Sequence, residues 1–155
     1  MTTEQKENNL LKHLQIYLAG KMSGLSYEQM NQWRIDFDKY IKTIVDDYKI
    51  ELDCVNPVNY FNFEEMKYQS HEEIMKFDLA KVKSSDIIVV NLNGLNTSIG
   101  TCIELYEAYK KEIPILGIGS DEVFNNLYPW LKVFITRYDN NYIETIRYIR
   151  DFYMC

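Results

Sequence analysis

The sequence predicts an α/β domain with a parallel sheet of about five strands. Short apolar runs alternate with longer segments of helical periodicity, in the order that builds strand–helix–strand units. The run DIIVVNL at 86–92 is apolar throughout its middle, as in a parallel strand that helices cover on both faces. The 155 residues suit one domain, and 46% apolar with 26% charged residues is a globular composition.

The first part of the chain supplies two strands and a helix. LQIYLAG (14–20) is a short apolar run closed by glycine, which predicts a buried strand. The segment 26–49 carries apolar residues every three or four positions and begins at Ser26, a residue suited to cap a helix. IELDCVNP (50–57) predicts a second strand that Asn-Pro ends, and the aromatic-rich segment 58–69 is expected to be a loop.

The middle of the chain supplies a helix, the central strand and a second helix. The first of these helices opens at Ser70, where Glu73 completes a capping-box pattern. The strand 86–92 follows, then a loop at 95–100 and a helix over 101–111.

The last part of the chain supplies two further strands and a closing helix. IPILGIG (113–119) predicts a buried strand, KVFITRY (132–138) a fifth strand, and 140–153 an amphipathic helix. Residues 1–13 are polar and are expected to be a flexible lead-in to a single domain over 14–155.

Charge and cysteine content narrow the class of function. The net charge of -6, from 17 basic and 23 acidic residues, comes without a basic stripe and argues against a nucleic-acid partner. Cys54, Cys102 and Cys155 are odd in number and fit no metal spacing, so we expect a reducing compartment, the cytoplasm. His13 and His71 are isolated, which argues against a metal site, and no apolar run is long enough to span a membrane.

The loops that follow the strands are the expected location of a ligand site. In parallel α/β sheets, ligands bind at the carboxyl edge, near the point where the strand order reverses. The loops 20–26, 56–70 and 93–101 should meet at this edge.

Two of these loops carry residues suited to an anion. The loop after the first strand has Gly20, Lys21 and Ser23, but matches neither a Walker motif nor a dinucleotide fingerprint. Ser98 and Gly100 either form a simple turn into the next helix or offer a hydroxyl and backbone amides to an anion.

Two carboxylates lie among apolar residues and have both structural and chemical interpretations. Glu104 could cap its helix, because Thr101 and Glu104 have capping-box spacing, or could act as a nucleophile or acid/base in a cleft. Asp78 could be a solvated helix residue paired with Lys81, or the second carboxylate of a site.

Three segments together resemble the nucleoside 2-deoxyribosyltransferase superfamily, which includes nucleoside 5'-monophosphate N-glycosidases. They are IYLAGKMSG (16–24), FDLAKVKSSDIIVVNL (77–92) and SIGTCIELYEAYKKEIPILGI (98–118), in matching order and spacing. The resemblance implies a flavodoxin-like, doubly wound domain that cleaves the N-glycosidic bond of nucleosides or nucleotides. It also implies a homo-oligomer that needs no metal or organic cofactor, in which the aromatic segments 59–63 and 128–134 form an interface or stack on a base.

The resemblance further implies roles for particular residues. The family's nucleophilic glutamate falls on Glu104, its helix aspartate on Asp78, and its first-strand tyrosine, which hydrogen-bonds the nucleophile, on Tyr17. In the family, the glutamate attacks the anomeric carbon and the glycosyl-enzyme ester passes the sugar to water or to another base. Asp78 would protonate or position the departing base.

One departure from the family concerns phosphate recognition. Base-exchanging members carry an aspartate six residues before the nucleophile, where this chain has Ser98. A serine there resembles the branch that hydrolyses nucleoside 5'-monophosphates, with Lys21 and Ser23 as further phosphate contacts. The first-loop arginine of vertebrate nucleotide hydrolases is replaced by Ser23, so the phosphate requirement stays open. A nucleotide-binding or sensing module of the same fold, without turnover, is the alternative function.

Overall fold

A computed structural model describes residues 12–60 and 68–155. Its five-stranded sheet has the order β2-β1-β3-β4-β5, and every neighbouring pair is parallel. The strands are β1 (Lys12–Ala19), β2 (Ile50–Val55), β3 (Ile87–Asn91), β4 (Ile115–Ile118) and β5 (Arg137–Asp139). This is the flavodoxin-like order, with its reversal between β1 and β3, and it confirms the predicted fold class.

Helices cover both faces of the sheet. They are α1 (Tyr27–Val45), α2 (His71–Lys83), α3 (Ile99–Lys110), α4 (Asp121–Asn125), α5 (Pro129–Phe134) and α6 (Tyr142–Tyr153), with 3₁₀ turns at Pro57–Tyr60 and Leu95–Thr97. One core cluster joins the sheet to α1 and α6, and the other joins it to α2, α3 and α5. Among the described residues, no helix is both long and apolar enough to cross a membrane.

Successive side chains of β1 point alternately to the two faces of the sheet, so they pack into different core clusters. Leu14, Ile16 and Leu18 pack into the cluster with α1 and α6, whereas Tyr17 and Ala19 pack into the cluster with α2 and α3. Because successive side chains of a strand point to opposite faces, Tyr17 lies under the two helices that carry the candidate carboxylates.

The helix starts follow their capping residues. Ser26 caps α1 and forms a full capping box with Gln29, as expected. The Ser70 hydroxyl accepts from the Glu73 N–H, whereas the Glu73 carboxylate accepts from the N–H of Gln69, one residue before the cap.

Three predicted boundaries are wrong. The fifth strand does not cover 132–138, because Pro129 opens α5 and only Arg137–Asp139 pairs with β4. Lys12 and His13 belong to β1 and pair with β2, so they are not part of a lead-in, and residues 1–11 lie outside the described residues. The third long helix begins at Ile99, with Ser98 at its N-cap position, two residues earlier than the sequence pattern predicts.

Candidate active site

Glu104 lies in the second turn of α3, on the side that faces the sheet. Because the helix begins at Ile99, Thr101 is not its N-cap, and the capping-box interpretation of Glu104 is wrong. The Thr101 hydroxyl instead lies 2.7 Å from the Ser98 hydroxyl. The Oε2 atom of Glu104 is buried and has no hydrogen-bond partner among the described residues. Helix capping therefore does not explain the burial of this oxygen.

Tyr17 lies beside Glu104, at the floor of the same region. The ring is 1% exposed, and its buried hydroxyl has no partner that meets hydrogen-bond geometry. Burial raises the pKa of Tyr17 above its usual range, and the charges of Glu104 and Asp78 raise it further. Tyr17 in turn favours the ionised form of Glu104. The phenol thus lies close enough to the Glu104 carboxylate for a hydrogen bond to favour the ionised form of Glu104.

Asp78 lies on α2, opposite Glu104, and its Oδ1 atom is also buried without a partner. Burial raises the pKa of Asp78 to about 6. Burial raises the pKa of Glu104 to about 7, with the charge of Asp78 adding to the effect, and Tyr17 and Arg34 opposing it. Both carboxyl groups consequently exchange protons near neutral pH, where acid–base catalysis needs them to do so.

A cavity of about 250 Å³ lies between α2 and α3 and contains both carboxylates. It is lined by His71, Ile74, Met75, Asp78 and Leu79 of α2, and by Ile99, Gly100, Ile103 and Glu104 of α3. Its walls are mostly apolar, so a bound ligand would meet the two carboxylates in a partly dry environment. A larger groove of about 1010 Å³ runs between α3 and α5, but no carboxylate lines it.

Of the residues predicted to contact the substrate in the loops, some line the cavity and others do not. Gly100 lines the cavity, and a Cβ there would meet open space. Lys21 does not line it, because its Nζ donates to Thr97 Oγ1 at 2.8 Å and ties the loop after β1 to the loop after β3. Ser23 is exposed on that first loop, and Ser98 is buried against Thr101.

Gly20 has a packing role that the sequence did not indicate. A Cβ at this position would meet the Trp33 ring at 3.2 Å and Arg34 Nη2 at 3.3 Å. These distances are tighter than ordinary van der Waals contact, so glycine is needed for α1 to approach the end of β1.

Three residues near the site escaped the sequence analysis. His71 lines the cavity although it is isolated in the sequence, and Thr101 is joined to Ser98. Arg34 is fully buried and acts on the charge of Glu104. A signal for Arg34 was present, since it lies at helical spacing between the apolar residues Met30 and Phe37.

The aromatic segments are only partly described. Tyr60 packs edge-on against Phe77 of α2, with ring centroids 5.0 Å apart, and residues 61–63 lie outside the described residues. In the second segment, Tyr128 and Trp130 are exposed and line the groove between α3 and α5.

Three solved structures share this architecture. A conserved protein from Enterococcus faecalis V583 aligns with a TM-score of 0.66 and 18% identity, over 90% of this chain and 98% of its own. The CMP N-glycosidase BcmB from Clostridium botulinum aligns with a TM-score of 0.55 and 15% identity, over 89% and 98%. A 2-deoxyribosyltransferase from Bacillus psychrosaccharolyticus aligns with a TM-score of 0.50 and 19% identity, over 86% and 91%.

These similarities establish the fold and are consistent with the resemblance that the sequence motifs indicate. No family model matches the chain, and no curated protein matches it.

Proposed function

We propose that this chain cleaves the N-glycosidic bond of nucleosides or nucleoside 5'-monophosphates, with Glu104 as the nucleophile. The observation that carries the proposal is the pair of carboxylates, Asp78 and Glu104, which line one cavity and each keep a buried oxygen without a hydrogen-bond partner among the described residues. Buried polar atoms in folded proteins are nearly always hydrogen-bonded, and a catalytic role is one of the explanations for an exception. Asp38 on α1 also has such an atom, so it is the shared cavity of Asp78 and Glu104 that favours a catalytic role for these two.

The reaction proceeds in two displacements. The Glu104 carboxylate attacks the anomeric carbon, the bond from that carbon to the base nitrogen breaks, and the base leaves with a proton from Asp78. In the second step, water or another base attacks the anomeric carbon and releases the Glu104 carboxylate, while Asp78 takes the proton of the attacking group. Each residue returns to its starting state after the second displacement.

Burial raises the pKa of both carboxyl groups, of Asp78 to about 6 and of Glu104 to about 7, so the nucleophile depends on its neighbours for ionisation. Burial favours the protonated form of Asp78, which can then donate to a departing base. Tyr17 and Arg34 favour the ionised form of Glu104, although its burial opposes ionisation. Ester formation removes this buried negative charge, so attack relieves part of the desolvation cost.

The resemblance and the similar structures support the same chemistry. The resemblance aligns the family's glutamate, aspartate and tyrosine with Glu104, Asp78 and Tyr17. Asp78 and Glu104 line one cavity, and Tyr17 favours the ionised form of Glu104. Two of the similar structures are named as a CMP N-glycosidase and a 2-deoxyribosyltransferase. Both names describe the transfer or cleavage of a sugar–base bond.

Nucleoside 5'-monophosphates are the proposed preferred substrates. Ser98 replaces a family aspartate, and the absence of that negative charge favours a phosphate near the start of α3. The Ser98 hydroxyl lies 2.7 Å from the Thr101 hydroxyl, so a contact from Ser98 to a phosphate would use the hydrogen-bonding capacity that this pair leaves free. Hydrolysis and transfer differ in whether water or a second base accepts the sugar, and supplying a free base distinguishes them.

The decisive experiment replaces Glu104→Gln and measures base release from a panel of nucleosides and nucleotides. Loss of the nucleophile should lower kcat by at least about 1000-fold. The matched control is Glu107→Gln on the same helix, where the carboxylate pairs with Lys110 at 2.9 Å and lies outside the cavity. Parent-like activity of the folded Glu104→Gln variant would show that this carboxylate is not the nucleophile.

A nucleotide-binding or sensing module is the second candidate. It predicts tight binding of a nucleotide by the purified parent protein with no base released over hours. Self-association and a cytoplasmic location remain predictions, and the exposed Tyr128 and Trp130 mark the surface where a second copy is expected.

A further inference from the structure

Arg34 is a fully buried arginine without a carboxylate in hydrogen-bond contact. Arginine is almost never fully buried unless it is paired. Here the guanidinium donates to backbone carbonyls: Nε to Leu18 at 3.1 Å, Nη2 to Gly20 at 3.1 Å, and Nη1 to Met30. The Trp33 ring lies against it, 4.8 Å from centroid to Cζ.

Two of the three carbonyls that Arg34 binds, those of Leu18 and Gly20, lie at the end of β1, and the third belongs to Met30 of α1. The pairing of β1 with β2 ends at Tyr17 and Val55, so Leu18 and Gly20 lie beyond the last β2 partner. The guanidinium fork therefore satisfies backbone groups that a longer β2 would otherwise bind. It fixes the last residues of β1 immediately after Tyr17.

The same guanidinium supplies a positive charge to the site. Helix α1 covers the face opposite to α2 and α3, so Arg34 acts on Glu104 from the carboxyl end of β1. Its charge favours the ionised form of Glu104, whereas the neighbouring charge of Asp78 disfavours it. The titratable and charged groups around Glu104 are Tyr17 from β1, Asp78 and His71 from α2, and Arg34 from α1.

We propose that Arg34 is a positioning residue, whose fork fixes the end of β1 that carries Tyr17 and whose charge balances the Glu104 carboxylate. This inference rests on the proposed function, because the charge balance matters only if Glu104 must be ionised to attack. Gly20 supports it independently, since any larger residue there would crowd the guanidinium.

The test combines a rate measurement with one that needs no turnover. The Glu104 carboxyl carbon is titrated by NMR in protein labelled at the glutamate side-chain carboxyl, with Glu104→Gln for assignment, and kcat/KM for base release is measured against pH. Arg34→Gln removes the charge and keeps an amide donor, whereas Arg34→Lys keeps a cation without the fork. Arg147→Met removes an equal charge from the exposed face of α6 and is the control.

Arg34→Gln should raise the titration midpoint of Glu104 by about one pH unit and lower kcat/KM about tenfold on the acid side. Arg34→Lys should lie closer to the parent in midpoint, and Arg147→Met should match the parent in both measurements. A folded Arg34→Gln variant with the parent midpoint, or a lysine variant no closer to the parent than the glutamine variant, overturns the proposal.

If Arg34→Gln does not fold, Gly20→Ala tests the positioning role instead. This substitution displaces the guanidinium fork and keeps its charge. It should lower kcat/KM with an unchanged Glu104 midpoint, and parent-like kcat/KM would overturn the positioning role. If the parent protein releases no base from any substrate, the proposed function fails, and the NMR midpoints still decide whether Arg34 controls the charge of Glu104.

Discussion

Strand β1 carries two buried polar side chains, Gln15 and Tyr17, whose hydrogen-bonding groups are used very differently. The side-chain nitrogen of Gln15 lies 3.2 Å from the Lys81 carbonyl, 2.9 Å from Ser84 Oγ and 3.1 Å from Ser85 Oγ. Two residues on, the Tyr17 hydroxyl has no partner. Both side chains lie on the face that α2 covers, so a difference in layer does not explain the contrast.

The difference separates two clusters. The hydrogen bonds around Gln15 stabilise the fold, whereas the polar atoms around Tyr17 are available to the proposed substrate. A saturated network such as that of Gln15 ties the end of α2 to β1 and leaves no group for further chemistry. The unpartnered atoms of Tyr17, Asp78 and Glu104 instead cost stability, which a protein retains where function needs them. Mutations in the two clusters should therefore have opposite consequences for stability and activity.

The largest expected effect is on activity, in the unsaturated cluster. Asp78→Asn removes the proton donor and should lower kcat about 1000-fold for a natural base, since general acid catalysis and leaving-group stabilisation both fail. A nucleoside analogue whose base leaves without protonation should lose much less. Comparing base release from the two substrates measures the role directly, and an equal loss for both would mean that Asp78 only positions the substrate.

Most of the fold could be predicted, because it depends on local patterns. The runs at 14–20, 86–92 and 113–119 are apolar over a strand's length, which predicts buried parallel strands without tertiary information. The strand predicted over 132–138 was wrong except at its end, because a short, largely apolar segment fits a helix or a strand equally well. Pro129 was the local signal that separated the two.

The site could be predicted only in part, and only where a motif carried it. Asp78 and Glu104 were candidates because they lie among apolar residues, whereas Tyr17 and the roles of all three came from the resemblance. No periodicity would have joined a strand to two distant helices. The burial of Arg34 depends on how α1 packs, and the position of His71 in the cavity depends on how α2 packs. The sequence of one helix does not specify either packing arrangement. Lys21 was predicted as an anion contact because it is a cation on a candidate loop, but in the structure its Nζ donates to Thr97.

The next effect concerns stability in the saturated cluster. Gln15→Leu removes an amide nitrogen whose two N–H groups are shared among Lys81, Ser84 and Ser85, and should lower the free energy of unfolding by about 2 kcal/mol, at about 1 kcal/mol for each hydrogen bond. Activity per folded molecule should stay at the parent level, because Gln15 does not line the cavity. Denaturant unfolding and base release, measured on the same samples, check both halves. A loss of activity without a loss of stability would contradict the division between the clusters.

The smallest expected effect is a gain in stability from the unsaturated cluster, and the size of this gain depends on pH. Burial raises the pKa of Glu104 from 4.5 to about 7 on folding. The folded state therefore holds its proton more tightly, and this stabilising contribution is complete below about pH 4.5 and is lost as the pH rises through 7.

Glu104→Gln keeps a neutral side chain at every pH. It should match the parent near pH 4.5 and exceed its free energy of unfolding by about 1–2 kcal/mol at pH 8. Urea unfolding at the two pH values measures this difference, with Glu107→Gln as the control for a carboxylate whose pKa its lysine partners lower. A Glu104→Gln variant less stable than the parent at pH 8 would mean that Glu104, like Gln15, holds the fold together.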